Sequence, residues 1–390
     1  MPKRFPTGRT SMEPGLRQPR SGRTCPGPTR EAASVRPRMY VHPTTEPFRT
    51  SPDSYQVRAA CARRIEEGVL KMHPRPRPLV TLLLLALAST LALPGPSSAA
   101  HSEGLIAFGR LHDGLADIMV MSTDGSDPHI VPLGDPAEAF GIPVWSRDGS
   151  RLLISHVVRF DGGGNLLPFR PATVRPNGSD YRLLTIPSGP FDMDCPAWSS
   201  TGSHILCGFG GDPGVFRIRA SDGGNATRLT TAPTGTGDLP TDTSPDGRQF
   251  VFLRFMDDSN GNGQVGVFIA NRDGSGIRQV LPFGIAQAHE FATAHWSPDG
   301  RSIITSTTAG RLVIVRADGR GMKELTLDVG TTDYFAFEPN WSPDGRRIVF
   351  AMFRNGQEDL YTAAADGSKV MQITNTPDFE NGPDWGASDH

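Results

Sequence analysis

A five-residue turn motif recurs through the last three-quarters of the chain and constrains its fold more than any other feature. It reads Trp145-Ser146-Arg147-Asp148-Gly149, Trp198-Ser199-Ser200-Thr201-Gly202, Thr243-Ser244-Pro245-Asp246-Gly247, Trp296-Ser297-Pro298-Asp299-Gly300 and Trp341-Ser342-Pro343-Asp344-Gly345, with a degenerate copy at Trp385-Gly386. Copies lie about 45 to 53 residues apart, a period that points to propeller blades. Pro and Asp preset a type I turn and the following Gly accepts the positive φ that reverses the chain, so each copy starts a hairpin rather than a helix.

Short runs of β-branched and aromatic residues follow each copy, for example Gln249-Phe250-Val251-Phe252 and Arg347-Ile348-Val349-Phe350. A second Gly-containing turn comes later in every unit, at Asp124-Gly125, Asn177-Gly178, Asp222-Gly223, Asp273-Gly274, Asp318-Gly319 and Asp366-Gly367. Two hairpins per unit make four strands, which is one blade. The units predict an all-β, six-bladed propeller. The first unit, beginning near Leu105, lacks a preceding motif, and the last copy at Trp385 has no strands after it. Trp385 is therefore expected to supply the innermost strand of the first blade, closing the ring by pairing the N- and C-terminal strands and leaving only short sheet edges.

The unit Trp-Ser-Pro-Asp-Gly-Arg-x-Ile-Val-Phe, with its later Asp-Gly and the Ile373-Thr374 pair, resembles the WD40-like repeats of TolB-type propellers. The resemblance covers roughly Gly104 to Gly386. Arg147 for Pro, Ser200-Thr201 for Pro-Asp and Thr243 for Trp depart from the pattern. It implies a non-catalytic scaffold that presents loops to a protein or peptide partner in the cell envelope or outside the cell.

Residues 1–71 are rich in Arg, Pro, Ser and Thr without hydrophobic periodicity, and no fold is expected of them. Arg75 and Arg77, the apolar run Leu79 to Leu93 and the small-residue end Ser97-Ser98-Ala99-Ala100 read as a secretory signal peptide over 72–100. The run is shorter than the about 20 residues a spanning helix needs. A signal that begins near Met72 predicts that 1–71 is an extension from a misassigned start, leaving 101–390 as the exported, monomeric propeller without stable membrane insertion. The first 100 residues hold 16 of the 39 basic but only 6 of the 41 acidic residues, so the remainder has a net charge of about −12. Such a domain is a poor partner for nucleic acid. Of the four cysteines, Cys195 and Cys207 follow the signal and flank the turn at Ser200-Thr201. Counting outward from that turn places them opposite each other, as a disulfide if oxidised on export or as two buried thiols otherwise.

Chemistry is sought in the loops that enter each innermost strand, because they converge at one end of the axis. They are acidic and aromatic, with Asp192, Asp194, Asp238, His289, Glu290, Asp333, Tyr334, Glu338, Asp378 and Glu380 as candidates for a partner-binding mouth; Asp242, His295 and Asp384 belong to the same segments. The alternative is that these carboxylates cap turns. His289 and His295 lack the four-residue spacing of a helical zinc site and on a strand would lie about 20 Å apart. Asp258, Asn260 and Asn262 match the first half of a calcium loop, but Ile269 stands where the bidentate acid belongs. No Gly-x-Ser-x-Gly nucleophile elbow occurs. No cofactor is expected beyond that weak calcium candidate. The alternative function is a carbohydrate-binding or lyase-type propeller using the acidic and histidine-bearing mouth.

Overall fold

The computed structural model describes residues 104–112, 115–133, 139–159, 167–185, 193–209, 212–257, 263–286 and 292–387. The proposed extension and export signal lie outside them, as do Asp192, Asp258, Asn260, Asn262, His289 and Glu290.

Six antiparallel sheets form the blades of a propeller. From the axis outward, the first blade comprises Phe379–Gly386, Leu105–His112, Leu115–Ser122 and His129–Ile130. Ile106 lies opposite Trp385 and Leu105 opposite Gly386, so the two ends of the repeat region meet in one sheet, as the phase of the motif predicts. In the second blade both Ala139–Phe140 and Pro143–Trp145 pair with Leu152–Val158, followed by Arg170–Val174 and Arg182–Leu183. The third blade runs Met193–Trp198, His204–Phe209, Asp212–Arg219 and Thr227–Arg228; the fourth runs Thr236–Thr243, Gln249–Asp257, Gly263–Asn271 and Arg278–Ala286. The fifth has Ala294–Trp296, Ser302–Ser306, Leu312–Arg316 and Lys323–Glu324, and the sixth Phe335–Trp341, Arg347–Arg354, Gln357–Ala364 and Met371–Gln372.

The repeated motif works as a self-contained hydrogen-bonded turn. Ser342 Oγ donates to Asp344 Oδ1 at 2.7 Å, and Asp344 Oδ1 accepts the Arg346 N–H at 3.0 Å. The Arg347 N–H then donates to Ser342 Oγ at 2.9 Å, while Gly345 takes a φ of 69°. Ser244-Asp246 and Ser297-Asp299 repeat this pattern. In the third blade Thr201 replaces the acid, and Ser199 Oγ and Thr201 Oγ1 are only 3.5 Å apart. That blade carries the Cys195–Cys207 disulfide, which joins its two inner strands.

Blades pack face to face, and six apolar clusters fill the six seams between neighbours. Because the middle strands are covered on both faces, they read as continuous apolar runs rather than alternating ones. Leu152, Leu153 and Ile154, for instance, are all fully buried, with Leu152 and Ile154 facing the first blade and Leu153 facing the third.

Candidate functional site

The loop carboxylates do not gather into one mouth among the described residues. Asp238 is buried against the Arg254 guanidinium, with bonds of 2.7 and 2.8 Å, and also accepts from Thr230 Oγ1 at 3.1 Å. Arg254 lies over the rings of Phe252 and Phe268. Glu380 is fully buried and meets Arg110 Nη2 at 2.9 Å and Thr376 Oγ1 at 2.9 Å. Glu338, also buried, accepts the Gly382 N–H at 2.6 Å, bracing the sixth blade against the first. These three acids are thus committed to strand packing.

The remaining candidates are dispersed. Asp194 is partly exposed and lies 3.3 Å from His156 Nδ1, whose ring stacks on Phe169 at 5.4 Å. Tyr334 is covered by Arg311, which lies 4.2 Å from the ring centroid, and Asp333 is exposed beside it. Asp378 contributes its backbone carbonyl to Gln357 Nε2 at 3.1 Å.

A cavity of about 260 Å³ instead opens on the axis at the opposite end, among the motif turns that leave the innermost strands. Its wall is built from the motif itself: Trp145, Trp198, Trp296, Trp341 and Trp385, with Pro245, Pro298 and Pro343 at the turns. The residue just before the motif's first position also lines it, once per blade. In ring order these residues are Asp384, Val144, Ala197, Asp242, His295 and Asn340. Two of the six, Val144 and Ala197, are therefore apolar and small at this level, and the other four are polar.

Where this residue is an aspartate, it ties its blade to the next. Asp384 Oδ2 accepts the Trp145 N–H, and its other oxygen accepts from Asn340 Nδ2. Asp242 Oδ2 accepts the Trp296 N–H at 2.9 Å, and Oδ1 accepts the Thr243 N–H at 2.6 Å. The indoles follow the same alternation. Trp198 Nε1 donates to the Val144 carbonyl at 3.0 Å and Trp341 Nε1 to the His295 carbonyl at 3.4 Å. Trp145 Nε1 and Trp296 Nε1, which follow the two aspartates, are buried without a partner among the described residues.

Burial sets the charge state of the funnel. It pushes the Asp242 carboxyl up to about 6, against the Trp296 N–H and the Arg147 charge, which favour ionisation. Burial pushes Asp384 up to about 7, and the nearby charge of Asp242 adds to the effect. His295, 4.0 Å from Asp242, is pushed by burial down to about 4 and is neutral at pH 7. Arg147, where the turns of the fourth, fifth and sixth blades have proline, extends its Nη2 to within 3.4 Å of the Thr243 carbonyl, linking the second blade to the fourth. Among the described residues no three His, Cys, Asp or Glu side chains are grouped so as to hold a metal ion.

Asp242, His295 and Asp384 are grouped by sequence with the loops entering the strands, whereas the structure puts them near the strands' far ends. A signal for this exists: written beneath one another, the repeats form a column before the motif's first position that is apolar in two copies, Val144 and Ala197, and polar in the four that follow.

No protein-family model matches the chain, and no curated protein matches it either. Solved structures do. TolB from Acinetobacter baumannii is 17% identical with a TM-score of 0.54, covering 73% of this chain and 67% of its own. A TolB-type protein from Agrobacterium tumefaciens is 16% identical with a TM-score of 0.51, covering 71% of this chain and 91% of its own. A chain of the nidogen/laminin complex reaches 0.53 at 10% identity, covering 73% of this chain and 99% of its own. At these identities the likeness establishes the fold, a TolB-like six-bladed propeller, and leaves function to the site.

Proposed function

We propose that this protein is an exported, non-catalytic scaffold whose axial funnel binds a cationic segment of a protein or peptide partner, received as a lysine or arginine side chain or an N-terminal amine. One observation carries the reading: two half-buried carboxylates, Asp242 and Asp384, line a tryptophan-walled cavity on the axis. A buried carboxylate is stabilised in its charged form by a cation brought into the same low-dielectric space. Aromatic walls add contact area and a cation-attracting face. Export rests on the basic, apolar and small-residue pattern of 72–100, and the mature chain should begin near His101.

The test is capture from envelope extract and culture fluid on immobilised protein, alongside the Asp242→Asn/Asp384→Asn double variant. A partner retained by the wild type and lost by the variant supports the reading. A partner retained equally by both removes the funnel from the account.

A further inference from the structure

The seam between the third and fourth blades ends in a cluster of positive charge, two of whose arginines have no counterpart in the other blades. His204 and Arg219 are cross-strand partners, and Arg217 lies two residues along on the same face as Arg219. That face also carries Leu206, which packs on Phe250, Phe268 and Ala270 of the fourth blade. Arg272 continues the alternation of Phe268 and Ala270 just past the end of their strand, and its N–H bonds to the Arg248 carbonyl at 2.8 Å. Arg217, Arg219 and Arg272 are close enough that, after burial, their charges hold the His204 imidazole below its ordinary range.

The repeats provide an internal control. By strand register, the places equivalent to Arg217 hold Val120, Thr173, Ile269, Ile314 and Thr362. Those equivalent to Arg272 hold Thr123, Pro176, Ala220, Ala317 and Ala365. Two arginines thus stand where blade construction elsewhere uses small or apolar residues, in a domain whose net charge is strongly negative.

Local acids offset only part of the cluster. Asp222 pairs with Arg219 at 2.8 Å, and the Asp273 carboxylate, held by Ser275 through bonds of 3.0 and 2.7 Å, feels the Arg272 charge without pairing with it. Arg217 and Arg272 form no ion pair among the described residues. The neighbouring turn has Thr201 where other motif copies carry an aspartate, which removes the acid nearest His204. His204 Nδ1 is 2.9 Å from Ser203 Oγ; with that hydroxyl donating, the neutral ring keeps its proton on Nε2 as a further donor.

From this arrangement we propose that the surface patch formed by His204, Arg217, Arg219 and Arg272 is a binding site for a phosphate group. Arginines contributed by two neighbouring blades suit a tetrahedral oxyanion, which accepts several charge-assisted hydrogen bonds at once. The group could come from a small soluble phosphate or a lipid headgroup, and the experiment separates them.

Full-length protein is titrated calorimetrically with inorganic phosphate and pyrophosphate, and co-sedimented with phosphatidylglycerol or phosphatidylcholine vesicles. Arg217→Thr/Arg272→Ala borrows residues that other blades already carry at these places, so it should fold. Arg320→Ala/Lys323→Ala, on the fifth blade, removes two exposed charges elsewhere and controls for net charge. The expected result is at least a tenfold loss of affinity in the double variant and none in the control. Loss in the calorimetric arm identifies a soluble phosphate, and loss confined to phosphatidylglycerol identifies a headgroup. Absence of binding in both arms, or equal binding by all three proteins, would overturn the proposal.

Discussion

Replacing Arg254 by methionine should destabilise the ring severely, because it strands Asp238. The pair is bidentate at 2.7 and 2.8 Å, with side-chain exposures of 10% and 0%. After the substitution Thr230 Oγ1 would be the one remaining side-chain donor to that carboxylate. Breaking a buried ion pair from one side costs about 3–5 kcal/mol, which for a domain of this size lowers the melting temperature on the order of 10 °C. The contacts of Arg254 with Phe252 and Phe268 are lost as well. Asp238→Leu alone should cost a similar amount, since it leaves the guanidinium buried and unpaired. The double variant Asp238→Leu/Arg254→Met removes both charges and should recover at least about 2 kcal/mol relative to the sum of the singles. Urea unfolding of the four proteins measures this coupling. Single variants within about 0.5 kcal/mol of the wild type, with additive effects, would refute the reasoning and return Asp238 to an open mouth.

Three further outcomes follow from named contacts. Raised folded-state values for Asp242 and Asp384 mean the native ring binds more protons than the unfolded chain, so their contribution to stability is lost as pH rises from about 4 through 6 and 7. The melting temperature should fall over that window, and Asp384→Asn should flatten the slope; an unchanged slope would show that Asp384 does not titrate there. Reducing the Cys195–Cys207 disulfide should destabilise the third blade by about 3 kcal/mol by the chain-entropy relation, read as a lower melting temperature in reductant that the Cys207→Ser variant no longer shows. Arg147→Pro should raise affinity for a cationic peptide several-fold, since it installs the residue of the three turns at Pro245, Pro298 and Pro343 and removes a positive charge near Asp242; weaker binding in titration would instead make Arg147 part of the binding surface.

The architecture was legible because its determinants are local. Ser, Asp and Gly within one pentapeptide build each turn without help from distant residues, and the phase of the defective copies put Trp385 in the first blade, where it lies opposite Ile106. One conformational repeat is not marked by residue type: Asp127, Asp180, Asn225 and Lys369 all hold positive φ at the position where other blades use Gly276 and Gly321. The loop carboxylates were harder to read, since their fate depends on partners the sequence does not mark. Arg110 is 270 positions from Glu380, and only ring closure brings them together. Asp242 and Asp384 stood in a readable column, but their place near the strands' far ends follows from counting residues along each innermost strand, not from the composition of the loop before it.

The most direct test of the funnel is its affinity for a cation-bearing peptide as a function of pH. A library of lysine- and arginine-bearing peptides is screened on the protein, and the best binder is titrated between pH 5.5 and about 8 by tryptophan fluorescence, the range in which carboxyls raised in this way ionise. Affinity should increase as pH rises through 6 and 7, where Asp242 and Asp384 ionise. The Asp242→Asn/Asp384→Asn variant should bind at least tenfold more weakly and lose the pH dependence. Failure of every cationic peptide to bind, or binding that ignores both pH and the substitution, would contradict the account.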